Sequence, residues 1–245
     1  GVAVCDVELG YDGNLYLADY GGGWSVNKNG TIQVMRPADP QKRAIGKETS
    51  LAFKKGFSDR SLPELELLLS HDDQRVRQAA QFAMVRKGSV SIDTLTTILN
   101  GEGTKNQASL HALWGLGQLY RNGETSASDP LIKSLSSENA EIRANAARTC
   151  GDIALSSSME PLIALLNDSS KRVVSLAAIA LGRVASVGDQ QTVDALFKRC
   201  ESNVGSSFDV TIRHAILSAL SRLASPEQTL AMTKSDSFEQ RMLSL

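Results

Sequence analysis

The sequence predicts a mainly α-helical protein, a right-handed solenoid of helix pairs preceded by a short antiparallel β segment. Hydrophobic residues make up 42% of the 245 residues and aromatic residues only 5%, so Ala, Leu, Val and Ile supply most of the apolar surface, as in packed helices. From residue 61 onward, apolar residues recur at the spacing of an amphipathic helix. A similar segment returns about every 33 residues, which is typical of a solenoid.

The β segment is predicted within residues 1–36. Residues 4–9 and 14–19 alternate apolar and polar side chains, and the pair Asp12-Gly13 between them is typical of a hairpin turn. Asn29-Gly30 marks a second turn, which a strand over residues 31–35 follows. Because an isolated sheet of three short strands is only marginally stable, we expect a further partner for it.

Residues 37–60 are expected to form a polar linker between the strands and the helices. Pro37 and Pro40 interrupt the strand pattern, and polar residues follow up to about Arg60. The expected domain organisation is therefore strands at 1–36, a linker at 37–60 and helical repeats at 61–245. We further expect the chain to be a piece of a longer protein.

The helical region begins at Ser61, which is followed by Pro63 and Glu64 in the pattern of a capping box. Apolar residues on one face then predict two helices per repeat. The predicted pairs lie at about 61–88, 90–122, 128–154, 157–186 and 189–224, and a sixth begins at Pro226.

Two columns of residues set the period of the repeats. Arg77, Arg143 and Arg213 occupy equivalent places, with 143 − 77 = 66 and 213 − 143 = 70 residues between them, or two repeats each. Gly117 and Gly151 are 34 residues apart, and Gly182 follows after 31. Such small residues let neighbouring helices approach closely along the stack.

The recurring pattern Asp-x-x-Val/Ile-Arg-x-x-Ala-Ala resembles the bacterial HEAT-like repeats that are also called phycobilisome-lyase-like repeats. This resemblance implies that the arginine pairs with a capping aspartate, as Asp73 with Arg77 and Asp209 with Arg213. Two repeats depart from the pattern, because Asn139 stands before Arg143 and Val174 replaces the arginine.

The stretch Asp12–Trp24, followed by Gly30-Thr31-Ile32, resembles the last blade of a β-propeller of the glucose/sorbosone-dehydrogenase-like, quinoprotein type. This resemblance implies a larger secreted or periplasmic parent, an extracytoplasmic sugar or alcohol dehydrogenase with a c-type cytochrome domain. The parent would use haem c, a quinone cofactor or Ca²⁺. No cofactor site is expected within these 245 residues, because turn chemistry already accounts for Asp12 and Asp19.

No catalytic or metal-binding motif is recognisable. The three cysteines are widely spaced, and no two histidines have the i, i+4 spacing of a helical metal pair. His111, Trp114 and His214 are candidates for an interaction face if the second helices line one surface. The apolar residues around Trp114 favour a core position for it instead.

The expected function is that of a non-catalytic scaffold that binds other domains of the same chain or a protein partner. A net charge of 26 − 27 = −1 argues against nucleic acid as a partner, and no apolar run is long enough to span a membrane. The alternatives are a tetrapyrrole-handling protein similar to the phycobilin lyases, whose site would need more aromatic residues, and a generic adaptor.

Overall fold

The computed structural model describes residues 4–21, 29–101, 106–201, 209–236 and 241. The chain divides into two compact units, residues 1–86 and residues 87–245. The first unit contains the sheet, a long helix and the first helix pair, and the second contains the later pairs. The predicted fold class, a mainly α solenoid with a short antiparallel sheet at its start, is confirmed.

The sheet has three antiparallel strands in the order β1-β2-β3. The strands are β1 Val4–Leu9, β2 Leu15–Asp19 and β3 Thr31–Met35. Apolar side chains point to both faces and remain exposed, such as Val7 on one face and Ile32 on the other. Residues 22–28, part of the predicted blade motif, lie outside the described residues.

The expectation of a polar linker at residues 37–60 is wrong in its secondary structure, because helix α1 spans Pro40–Lys55. The carboxylate of Asp39 caps this helix by accepting from the backbone N of Gln41 at 2.8 Å, and Pro40 starts it without losing a hydrogen bond. Its buried residues are the small Gly46, Thr49 and Ala52.

The first unit is held together by contacts at the tip of the β1–β2 hairpin. The ring of Tyr11 stacks on that of Phe53 of α1 at 3.9 Å between centroids. Gly46 lies directly against the hairpin turn, since a β-carbon on it would clash with the carbonyl oxygen of Asp12. The strands and α1 belong to the same compact unit as the first helix pair, and this unit ends at Arg86.

The helical repeats follow the predicted pairs closely. Their first helices are α2 Leu62–Leu69, α4 Ile92–Asn100, α6 Ser128–Ser134, α8 Met159–Ala164, α10 Gln190–Glu201 and α12 Pro226–Met232. Their second helices are α3 Gln74–Arg86, α5 Asn106–Arg121, α7 Ala140–Asp152, α9 Lys171–Val184 and α11 Val210–Leu223. At the start of α2, the Glu64 carboxylate accepts from the backbone N of Ser61 at 2.9 Å, as a capping box requires.

Within residues 87–245, the second helices pack side by side in the order α5, α7, α9 and α11. The glycine column lies at these contacts. A β-carbon on Gly117 would come within 2.5 Å of a methyl carbon of Thr149, and one on Gly182 within 2.9 Å of the α-carbon of Ala219. No helix in the described part of the chain is both long and apolar enough to cross a membrane.

Candidate interaction surface

The second helices of residues 87–245 each turn one side away from the core. Aligned by the glycine column, Trp114, Arg148, Ile179 and Ser218 occupy the same place in successive repeats, 34, 31 and 39 residues apart. None of the four is fully buried. We call the outward side of α5, α7, α9 and α11 the second-helix surface.

Trp114 lies on the second-helix surface and not in the core, so the core interpretation is wrong. Its residue is 36% exposed, whereas His111, one turn earlier on α5, is only 4% exposed. The two rings meet edge to face with 5.0 Å between centroids. The buried His111 ring therefore packs against the indole of Trp114, in the edge-to-face geometry that aromatic pairs favour.

His214 is exposed on α11, whereas His111 and Trp114 lie on α5, three second helices earlier in the stack. The structure thus brings His111 and Trp114 together but buries His111, so that of the predicted interaction face Trp114 and His214 are exposed.

A groove of about 430 Å³ runs across the second-helix surface at α7, α9 and the start of α11. Its apolar part is formed by Leu176 and Ile179, both half-buried on α9. Arg148, Lys171 and Arg172 provide the cationic part of its lining. Apolar and cationic groups thus share one groove.

Each cation around the groove lies near a carboxylate. Nη2 of Arg172 is 3.3 Å from Oε1 of Glu141, and Nζ of Lys171 is 3.1 Å from Oδ2 of Asp209. Nε of Arg148 is 3.6 Å from Oδ2 of Asp152. Asp152 also contacts Arg183, so that one carboxylate serves two guanidinium groups.

The predicted pair of Asp73 with Arg77 does not form. The Asp73 carboxylate instead accepts two bonds from the guanidinium of Arg75, at 3.1 and 2.7 Å, and this contact lowers its pKa. Nη1 of Arg77 turns back to the carbonyl oxygens of His71 and Asp72, at 2.7 and 2.9 Å. The arginine therefore secures the loop before its helix, because those carbonyls have no helical partner.

Arg143 makes the same contacts to its own loop. Its Nη1 donates to the carbonyl oxygens of Ser137 and Glu138, at 2.7 and 3.0 Å. Its other two nitrogens reach the next repeat, where Nε and Nη2 donate to the Asp168 carboxylate at 2.7 and 3.0 Å. This bond with Arg143 lowers the pKa of Asp168 below its ordinary value of 3.8.

The predicted pair of Asp209 with Arg213 does not form either. Asp209 caps α11 by accepting from the backbone N atoms of Thr211 and Ile212, at 2.9 and 3.4 Å. Its ionic partner is Lys171 of the preceding repeat, which lowers its pKa. The residues that would correspond to the loop contacts of Arg77 lie at 207 and 208, outside the described residues.

Metal-ligating side chains are not grouped among the residues that the structure describes. Among them, no group of three or more His, Cys, Asp or Glu side chains is arranged to hold a metal ion. Asp12, near the predicted blade turn, accepts instead from the side chains of Asn14 and Tyr16, at 2.7 and 2.9 Å.

Comparison with known proteins identifies the kind of repeat. Residues 92–182 match the family model for HEAT repeats. A chain in the complex of CpcE and CpcF of phycocyanin lyase from Nostoc sp. PCC7120 is 18% identical, with a TM-score of 0.51 over 64% of this chain and 96% of that chain. A designed armadillo repeat protein is 17% identical, with a TM-score of 0.46 over 75% of this chain and 97% of that chain. No curated protein matches the sequence.

The family match and the likeness to the lyase chain agree on the kind of fold. Residues 92–182 match HEAT repeats, and the helical part of the chain is a solenoid of helix pairs with a fold like that of the phycocyanin lyase chain. At this level of identity the comparison shows the fold alone.

Proposed function

We propose that the chain is a non-catalytic HEAT-repeat scaffold whose second-helix surface binds a protein partner. The observation that carries this proposal is the groove at α7, α9 and α11, where Leu176 and Ile179 lie beside exposed cations. The exposed Trp114 adds an aromatic group to the same surface, and partly exposed aromatic residues are favoured at binding interfaces. The rigid packing behind this surface fits a preformed binding site.

The test is a selection of peptides from a random display library against the whole chain, followed by hydrogen exchange of the selected complexes. We expect selected peptides to slow exchange in α5, α7, α9 or α11. Trp114→Ala or Ile179→Ala should weaken binding, whereas Val90→Ala should not, because Val90 is an exposed apolar residue that precedes the first helix α4. No selected peptide, or protection confined to the first helices, would contradict the proposal.

The rival function is tetrapyrrole handling, as in the phycobilin lyases. A bound tetrapyrrole changes its absorbance and gains induced circular dichroism, so mixing the chain with a free bilin decides between the two. The scaffold proposal predicts the absorbance and circular dichroism of the free bilin in buffer, unchanged by the chain. A red-shifted, dichroic bilin band that Trp114→Ala abolishes would favour the rival.

We further propose that the strands belong to the last blade of a propeller in a longer, extracytoplasmic dehydrogenase with a c-type cytochrome domain. Support comes from the β1-β2-β3 order and from the exposed apolar side chains on both faces of the sheet, such as Val7 and Ile32, which further strands would cover. The test is haem staining and peptide mapping of the natural protein isolated from cell fractions. A single polypeptide that contains this chain, binds covalent haem and lies outside the cytoplasm is expected, and a haem-free cytoplasmic protein would contradict it.

A further inference from the structure

We infer that the partner segment in the groove is acidic and inserts an apolar side chain between its carboxylates. This inference rests on the proposed scaffold function and specifies the chemistry of its partner. The site comprises Leu176 and Ile179 together with the cations Arg148, Lys171 and Arg172 and the carboxylate Asp209, and we call it the α9 groove.

The apolar part of the α9 groove is local. Leu176 and Ile179 lie three residues apart on α9, so their side chains are neighbours on one helix face. In the preceding repeat the same two places hold Asn145 and Arg148, whose side chains are polar. An apolar side chain of a partner would therefore contact Leu176 and Ile179 on α9, with polar side chains of α7 next to it.

In the ion pairs beside the α9 groove, the cationic side chains are more exposed to solvent than the carboxylates. Side chains of Lys171 and Arg148 are 71% and 66% exposed, whereas their carboxylate partners Asp209 and Asp152 are only 22% and 37% exposed. In both pairs the cation therefore reaches further outward than the acid.

The carboxylates are also occupied within the chain. Asp209 is committed to the backbone N atoms at the start of α11, and Glu141 accepts from the side chain of Asn145 at 3.0 Å. Asp152 is shared by Arg148 and Arg183. The lining of the groove itself contains three cations, Arg148, Lys171 and Arg172, and one carboxylate, Asp209, so an added carboxylate meets complementary charge.

An acidic peptide fits this site better than a nucleic acid. A nucleic-acid surface depends on a run of phosphate contacts, whereas the α9 groove combines three cationic side chains with an apolar floor. Carboxylates next to Leu or Phe supply both complementary groups in a short segment. The phosphate backbone of a nucleic acid has no apolar side chain to pack against Leu176 and Ile179.

The experiment measures fluorescence anisotropy of labelled twelve-residue peptides with the whole chain. The probe is a peptide with a central Leu flanked by Glu residues, and the comparison peptides replace Leu with Ser or every Glu with Lys. We expect the Glu–Leu peptide to bind at least about tenfold more tightly than either comparison peptide, and binding to weaken as salt is raised. Equal binding of the Lys peptide would overturn the inference.

Variants of the chain locate the binding site. Arg148→Glu with Arg172→Glu should weaken the Glu–Leu peptide about tenfold and favour the Lys peptide, whereas Lys198→Glu, an exposed change on the first helix α10, should leave both unchanged. Ile179→Ser should weaken binding without changing its salt dependence. If the double variant melts early, Arg148→Glu alone provides the same comparison.

The outcomes separate this inference from the function on which it rests. If display selects neutral or basic peptides on the second-helix surface, the scaffold proposal stands and the acidic partner is wrong. If single-stranded DNA of mixed sequence binds more tightly than the Glu–Leu peptide and ignores Ile179→Ser, the α9 groove is a polyanion site and the inference fails. If display selects no peptide at all, the scaffold proposal itself fails.

Discussion

Gly151 on α7 and Ala180 on α9 bring their helices so close that a β-carbon on Gly151 would lie 2.8 Å from the α-carbon of Ala180. Gly182 and Ala219 repeat this contact between α9 and α11. The obstacle in both cases is helix backbone, which a rotamer change cannot move aside. The close approach at these two contacts therefore depends on the absence of a β-carbon on Gly151 and on Gly182.

We expect Gly151→Ala to destabilise the chain by up to about 2 kcal/mol. Alanine improves helix propensity by about 1 kcal/mol over glycine, but overpacking of a close contact costs about 1–3 kcal/mol. Urea unfolding followed by circular dichroism measures the difference. Ser221→Ala is the matched control, since Ser221 occupies the same repeat place on α11 but is exposed, and its effect should stay within about 0.5 kcal/mol. A stabilised Gly151→Ala protein would contradict the close packing.

The ion pair of Arg143 with Asp168 should contribute more to the free energy of unfolding than a surface ion pair does, because its side chains are only 15% and 7% exposed. Replacing Asp168 with Ala leaves the guanidinium buried without its partner. We expect a loss of about 3 kcal/mol in the free energy of unfolding, whereas Asp59→Ala, at an exposed carboxylate, should have little effect. A loss no greater than that of the control would show that the pair is dispensable.

The pH dependence of stability should reveal the same pair. Folding lowers the pKa of Asp168, chiefly through the bond from Arg143, so the folded state releases this proton more readily than the unfolded state. The resulting stabilisation is complete above the unfolded pKa of about 4 and is lost as pH falls through the folded value. Asp168→Asn should therefore be less stable at pH 7 but lose less stability between about pH 4 and pH 2 than the wild type. Parallel curves for the two proteins would contradict this origin.

Arg75 should hold the β1–β2 hairpin against the first helix pair. Its Nη1 and Nη2 donate to the carbonyl oxygens of Leu9 and Gly10, at 2.5 and 3.1 Å, and its guanidinium lies 5.0 Å from the ring centre of Tyr11. We expect Arg75→Ala to speed hydrogen exchange in β1 and β2, and Arg75→Lys to rescue it poorly because an ammonium cannot make the forked contact. Gln78→Ala, at an exposed place on the same helix, is the control. Unchanged exchange in Arg75→Ala would show that the hairpin does not depend on this contact.

The cysteines should differ sharply in reactivity. Burial raises the pKa of Cys150 to about 12, whereas Cys5 is exposed on β1. Since the thiolate is the reactive form, iodoacetamide at pH 8 should label Cys5 rapidly and leave Cys150 unmodified in the folded chain. Mass spectrometry of proteolytic peptides measures both, and unfolding in urea should equalise them. Fast native labelling of Cys150 would indicate that the core around α7 opens readily.

The helix pairs could be predicted from the sequence because two signals agreed, the apolar spacing and the recurring arginines and glycines. Helix α1 was missed for a physical reason. Its buried side consists of Gly46, Thr49 and Ala52, which are small and only weakly hydrophobic, so the helix carries no apolar stripe. Its sequence signals lie at its ends, in the Asp39-Pro40 start and in Gly56 after Lys54 and Lys55.

The surface of the second helices was harder to predict than their existence. Trp114 lies on a helix that is apolar on nearly every side, so spacing alone does not show which side faces outward. Alignment of the repeats does, because the same place holds Arg148, which the core would not accept. The pairing of Asp73 with Arg75, and not with Arg77, depended on side-chain reach that no spacing rule contains.

The bond from Arg143 to Asp168 also constrains how such a protein can change over generations. The donor belongs to one repeat and the acceptor to the next, so neither unit is self-sufficient. A duplication or deletion of one repeat that separates them leaves a guanidinium or a carboxylate largely buried without its ionic partner. The two repeats are thus best regarded as a single heritable block, and recombination breakpoints should be tolerated more readily on either side of it than within it.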